Sequence, residues 1–218
     1  MPTTINNSLG KPNWSQRNNP DDPSTPWNET FETCNVTAAY TSGGIANWPM
    51  ANFMKGLHPR GPMDLLLFMR QNTRCKALYE QTDPKHSSPM NEWMEIVAVG
   101  LDEYLGNPGV KLVYGASLTT IHSHICAGDG IVIHGNFTFK RADGSSVTGG
   151  HYESLVGLRA DDNGTVTAWL VDDPYGDPIT DYLSTMGNDI WLTMGQVATW
   201  IKPQGDGGKD AIFIPKYK

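Results

Sequence analysis

Cysteine is scarce in this chain: among 218 residues there are three, Cys34, Cys75 and Cys126, an odd number, far apart and without CxxC spacing. That excludes a disulfide framework and argues against a zinc–thiolate centre. Basic runs are also missing. The 16 Lys and Arg are scattered against 23 Asp and Glu, for a net charge of −7, so nucleic acid is not an expected partner. No apolar stretch approaches the ~20 residues needed to cross a bilayer. Residues 1 to 30 hold no apolar core of a secretory signal, so a substrate outside the cytoplasm would need delivery by another agent. Internal repeats and low-complexity linkers are absent too. What is present is an apolar share of 39% with 7 Trp, the composition of a folded protein, and a length that suits one large domain.

The first 30 residues are dense in Asn, Pro, Ser, Thr and Asp and read as an extended arm (1–13) and loop. Thr33 is a candidate N-cap for a short helix from Cys34 to Ser42, ended by Gly43-Gly44. Residues 45–62 read as loop. Apolar spacing predicts one helix from Pro62 to Tyr79, a second from Pro89 to Leu105 and a third from Ser117 to Ala127, stopped by Gly128. The period then changes. Gly130 to Phe139 reads as a strand, Lys140 to Thr148 as a hairpin loop with an Asp143-Gly144 turn, and His151 to Leu158 as a second strand. Asp161 to Gly164 makes a tight turn into a partner strand from Thr165 to Val171. Trp191 to Ile201 reads as helix or mixed, and Ala211 to Ile214 as a closing strand. Helices first and antiparallel strands later give an α+β domain.

Three residue types in three settings carry chemistry. Cys34 opens a helix, and a helix N-terminus and a neighbouring imidazolium both favour the reactive thiolate. His151 opens a strand after Gly149 and Gly150, which leave room around the ring. A histidine base needs an acceptor on its other nitrogen. Asp173 follows by 22 residues across a two-strand hairpin, with Asp172 as the alternative, because successive strand side chains face opposite ways. Acyl chemistry at a thiolate also needs oxyanion donors: the Cys34 amide is one, and Gln16 offers a side-chain amide upstream. These are the parts of a thiol hydrolase that cuts amide bonds.

Gln16-Arg17-Asn18-Asn19, Thr33-Cys34-Asn35-Val36-Thr37, Gly128 to Asn136, Gly150-His151-Tyr152 and Asp173-Pro174-Tyr175-Gly176 together resemble the cysteine peptidases of the double-glycine leader peptidase type. They are most similar to the branch found in phage and bacterial cell-wall lytic proteins. The ordered match spans residues 14–178. The resemblance implies a papain-like fold, with a nucleophile helix packed on an antiparallel sheet. It implies Cys34 as nucleophile, His151 as base, Asp173 as orienting acid and Gln16 as oxyanion donor, with no metal or cofactor. Asn35, Gly150, Tyr175 and Trp27 are the expected substrate contacts. Transporter-linked members commonly have Gly after the nucleophile, where this chain has Asn35, and residues 45–127 form a longer helical insertion. No transporter membrane segments follow. These departures favour a free-standing endolysin-type enzyme over leader processing. Its expected partner is the peptide stem or cross-bridge of peptidoglycan, and a monomeric catalytic domain over 14–218 is expected. A peptidase of protein or leader substrates, and an inactive binding or virion protein retaining the fold, are the alternatives.

Other features read as structural. Cys75 and Cys126 are expected as small buried residues. His122 and His124 stand two apart on a helix and cannot share a metal from one face. Asp161-Asp162-Asn163-Gly164 lacks the later Glu of a calcium loop and reads as a turn. Trp14, Trp27 and Trp48 could line a groove, although packing is the commoner fate of Trp.

Overall fold

The computed structural model describes residues 2–11, 14–16, 33–50, 61–140, 146–180, 182, 184, 186–201 and 209–218. In chain order these form β1 (Thr3–Asn6), α1 (Cys34–Ile45), α2 (Pro62–Gln71), α3 (Thr73–Thr82) and, after a 3-10 turn at Met90–Glu92, α4 (Met94–Tyr104). There follow β2 (Lys111–Ala116), α5 (Leu118–Ala127), β3 (Gly130–Lys140), β4 (Ser146–Ala160) and β5 (Val166–Asp172). After a 3-10 turn at Pro178–Thr180 the described chain continues with β6 (Ile190–Thr193), α6 (Met194–Trp200) and β7 (Lys209–Ile214).

The strands make one sheet in the order β2-β7-β3-β4-β5-β6, with β1 added on β4. All the pairings are antiparallel. Alternation along β3 shows why both faces are covered. Val132 enters a core with Val36, Leu65, Leu66, Ile96 and Leu101 from α1, α2 and α4. Its neighbours Ile131 and Ile133 enter a second core with Ile121 and Ile125 of α5 and Val197 of α6. Burying one such side chain contributes about 1.5–3 kcal/mol. The sheet is therefore held from both sides, and the α+β layout expected from the sequence is the one observed.

Helix α1 is central, buried from Asn35 through Gly43. Two hydroxyls pin it to the sheet: Ser42 Oγ donates to the Ile131 carbonyl (2.9 Å), and Ser154 Oγ of β4 donates to the Ala38 carbonyl (2.8 Å). Thr33 occupies the N-cap position without a side-chain capping hydrogen bond. The expected stop at Gly43-Gly44 is overridden. Gly43 packs under Met50, where an added Cβ would fall 2.5 Å from the sulfur, and the helix runs on to Ile45.

Several local readings are corrected. The helix expected from Pro62 to Tyr79 is two helices. Asn72 breaks it with extended backbone (ψ 128°), and its side chain accepts from the Arg74 and Cys75 amides to cap α3. The expected helix from Pro89 is a 3-10 turn before α4. Residues 3–6 of the arm are a strand, and β2 was not anticipated at all. Strand β4 starts at Ser146, inside the expected hairpin loop; the Asp143-Gly144 turn lies outside the described residues. Residues 161–165 do turn as expected: Asp161 Oδ1 accepts from the Asn163 and Thr165 amides. Ser117 caps α5 and Gly128 closes it. No helix among the described residues is long and apolar enough to cross a membrane.

Candidate active site

Three parts of the fold converge: the first residue of α1, the middle of β4 and the segment leaving β5. Register does the placing. Ser154 pairs with Asp172 across β4 and β5, so Asp173, one residue on, comes level with Glu153 and near His151. His151 Nε2 and Asp173 Oδ1 are 2.9 Å apart, and both residues are buried. Asp173 is held on every side. Its Oδ1 also accepts from the Tyr175 amide (2.7 Å), and its Oδ2 accepts from the Tyr182 hydroxyl (3.0 Å). Its own amide donates to the Gly187 carbonyl (2.7 Å). Gly187 must lack a side chain there, since a Cβ would fall 1.9 Å from the Asp173 carbonyl oxygen.

Electrostatics favour a charged ring. Burial by itself disfavours the His151 imidazolium, but the charge and hydrogen bond of Asp173 outweigh it. A side-chain hydrogen bond and charge from Cys34 act in the same direction, and the pKa is held well above the ordinary histidine value. Cys34 is partly buried. The neighbouring Asp172 faces elsewhere. Its Oδ1 accepts from the Asp189 amide (2.8 Å), and burial, with a smaller push from the Asp189 charge, raises its pKa to about 7.

Gln16 is buried beside the acid segment, and its backbone N–H donates to the Pro174 carbonyl (2.9 Å). Asn35 is turned inward, bonded both ways to Asn91: its Nδ2 donates to the Asn91 carbonyl, and its Oδ1 accepts from Asn91 Nδ2 (2.9 Å). Gly150 is exposed next to His151. Tyr175 is half-buried and meets Tyr182 edge-to-face at 5.3 Å. Trp27 lies outside the described residues. The other two tryptophans expected as groove candidates are packed: Trp14 sits edge-on to Tyr40 at 5.4 Å, and Trp48 donates to the Pro215 carbonyl (2.7 Å) and lies against Tyr217.

Two residues of the cluster were not anticipated. Glu153 is 0% exposed and stands on β4 two residues after His151; strand alternation could have found it. Tyr182 sits in a loop at φ 62°, and no local pattern announces it. His151, Glu153 and Asp173 each offer a ligand-type atom, all within 4.8 Å. His151 Nε2 is already bonded to Asp173, so that nitrogen is engaged within the protein.

The remaining thiols and histidines lie apart. Cys75 is buried as expected, and burial, aided by the Glu103 charge, pushes its pKa up to about 11 against the effect of Arg74. Cys126 is exposed, which corrects the expectation that it is buried: the helix end of α5 turns it outward. His122 Nε2 accepts from Trp169 Nε1 (3.0 Å), while His124 pairs with Asp129 (2.7 Å), so the two serve different partners.

No protein-family model matches the chain, and no curated protein matches it. Among solved structures it is similar to one described as a C39-like peptidase from Bacillus anthracis, with a TM-score of 0.56 and 16% identity over 99% of each chain. At that identity the likeness speaks to the fold. It agrees with a helix-borne Cys34 packed on an antiparallel sheet. The chain has a papain-like α+β fold.

Proposed function

We propose that the protein is a cysteine peptidase in which Cys34 is the nucleophile, His151 the acid–base and Asp173 its orienting carboxylate. One observation carries this reading: a buried imidazole bonded at Nε2 to Asp173 and acted on by the thiol at the start of α1. With Nε2 engaged, Nδ1 is the nitrogen left for the sulfur. The Cys34 thiolate attacks the carbonyl carbon of the scissile amide, and the carbonyl oxygen takes up the negative charge. The Cys34 amide and the Gln16 side chain stabilise that oxyanion. The His151 imidazolium protonates the departing amine, leaving a thioester. The neutral ring then takes a proton from water, hydroxide adds to the thioester, and the thiolate leaves as the acid product is released. Asp173 keeps the ring in one tautomer and orientation throughout. Gly150 and Tyr175, at the rim of the site, are the substrate contacts of this reading.

The substrate class is the peptide of bacterial peptidoglycan, stem or cross-bridge, which is what the sequence resemblance implies. Purified sacculi and a peptide library separate it from general or leader peptides: wall fragments carrying new termini, identified by mass spectrometry, support the wall substrate, while cleavage confined to peptides replaces it. Iodoacetamide tests the site itself. Cys34 should alkylate much faster than the exposed Cys126 below neutral pH, where an ordinary thiol is protonated. Equal rates at both thiols would mark an inactive protein that retains the fold.

A further inference from the structure

Glu153 has no part in the reaction just described, yet it lies inside the site. It shares a strand face with His151, within 4.8 Å of the ligand-type atoms of His151 and Asp173, and it is buried. Neither carboxyl oxygen accepts a hydrogen bond from a described donor. A bare carboxylate there, beside a second carboxylate, would bear its desolvation cost with no hydrogen bond to offset it. Asp173 is the opposite case, with hydrogen bonds from His151, the Tyr175 amide and the Tyr182 hydroxyl. Of the two neighbouring acids, the proton therefore belongs on Glu153 and the charge on Asp173.

Asp173 and His151 are the charged groups that act on Glu153, and Tyr182 feels it from across Asp173. Burial first, then the Asp173 charge, push the Glu153 pKa well above the ordinary carboxylate range, against the pull of His151. A protonated carboxyl is also a donor, and Asp173 is its hydrogen-bonding neighbour.

We propose that Glu153 is a neutral positioning acid whose hydroxyl donates to the Asp173 carboxylate, completing the set of donors that fixes this carboxylate against His151. The role rests on the reading of His151 and Asp173 as the catalytic pair. It predicts that what matters at position 153 is a neutral hydrogen-bond donor, not a negative charge.

Wild type, Glu153→Gln and Glu153→Leu are compared by the pH profile of Cys34 alkylation, by kcat/KM and by infrared spectroscopy. Gln is neutral and keeps a donor, so its alkylation profile should not move and its kcat/KM should stay within about threefold of wild type. Leu removes the donor and should lower kcat/KM about tenfold or more, the worth of a hydrogen bond to a charged group, and shift the profile. The difference spectrum of wild type against Glu153→Gln at neutral pH should contain the carbonyl band of a protonated carboxyl, a readout that stands whether or not the Leu variant folds. An alkylation profile displaced by about half a pH unit or more in Glu153→Gln would mean an ionised Glu153 and overturn the proposal. So would a missing carbonyl band, a folded Leu variant indistinguishable from wild type, or activity that needs added zinc and is lost to a chelator. Wild-type Cys34 that alkylates no faster than Cys126 would take away the catalytic reading and the positioning role with it, whereas the other failures leave the catalytic reading standing.

Discussion

Strand β4 holds two chemistries end to end. From Leu155 to Leu158 it is apolar and buried, with Leu155 and Leu158 in the core beneath α5 and α6. From His151 to Ser154 it is equally buried but carries an imidazole, a carboxyl and a hydroxyl. The apolar stretch gains from leaving water. The polar stretch loses solvation and is held by particular partners: Asp173 on His151, and the Ala38 carbonyl on Ser154. One backbone serves both, so the apolar half sets where the strand lies while the polar half places groups that favour folding least. That division is what a reactive site needs: exact placement supplied from outside, and buried charge kept where it can act.

Substitutions can sharpen or break this contrast. Cys34→Ala should leave thermal unfolding nearly unchanged and reduce amide hydrolysis about 10⁴-fold or more; undiminished turnover would end the catalytic reading. Asp173→Asn should cost about 10³-fold or more in kcat, because the ring loses its tautomer control, with a smaller change in KM. Gln16→Ala should cost about 10²–10³-fold in kcat as an oxyanion donor is lost; an effect on KM alone would place Gln16 in binding instead. In the apolar half, Leu155→Ala should destabilise by about 2–5 kcal/mol in denaturant unfolding, with turnover per folded molecule barely altered.

A small effect on activity is expected at Asp172, and it carries a pH signature. Its carboxyl titrates at about 7 in the fold against an ordinary value of 3.8, so the protonated form favours the native state. Stability should therefore fall as pH rises from about 4 to 7, by up to about 4 kcal/mol, and stay low above that. Asp172→Asn keeps an acceptor for the Asp189 amide and removes the titration. It should raise the unfolding midpoint at pH 8 more than at pH 4.5 and leave turnover within about threefold. A loss of activity matching that of Asp173→Asn would mean that the wrong carboxylate has been assigned to the ring.

How much of this was legible in the sequence follows physical lines. Caps and periodicity are local, and so Ser117 and Gly128 marked α5, and the turn after Asp161 announced the β4–β5 hairpin. The hairpin in turn made His151 and an acid 22 residues on a sensible pair. Asn72 was misread because a polar residue suits an exposed helix as well as a cap, and its φ and ψ are settled only by what α3 does next. Strand β2 escaped notice because Gly115, at φ 63°, breaks its alternation, and its pairing with β7 spans about half the chain. Which of Asp172 and Asp173 meets the ring depended on a register that sequence alone leaves open, whereas Glu153 could have been found by counting two residues from His151.

Strand β1 covers part of one edge of β4. Strand β3 stops pairing with β4 at Ser154, while β5 continues along the opposite edge as far as Ala160. Residues Thr3–Asn6 fill the vacated edge, bonding against Gly157–Ala160. Stripped of that cover, four residues of backbone donors and acceptors would stand open to pairing with another molecule, on the same strand that bears His151. Trimming the first six residues should thus show up first as clumping at high concentration, well before any slowing of turnover in dilute solution.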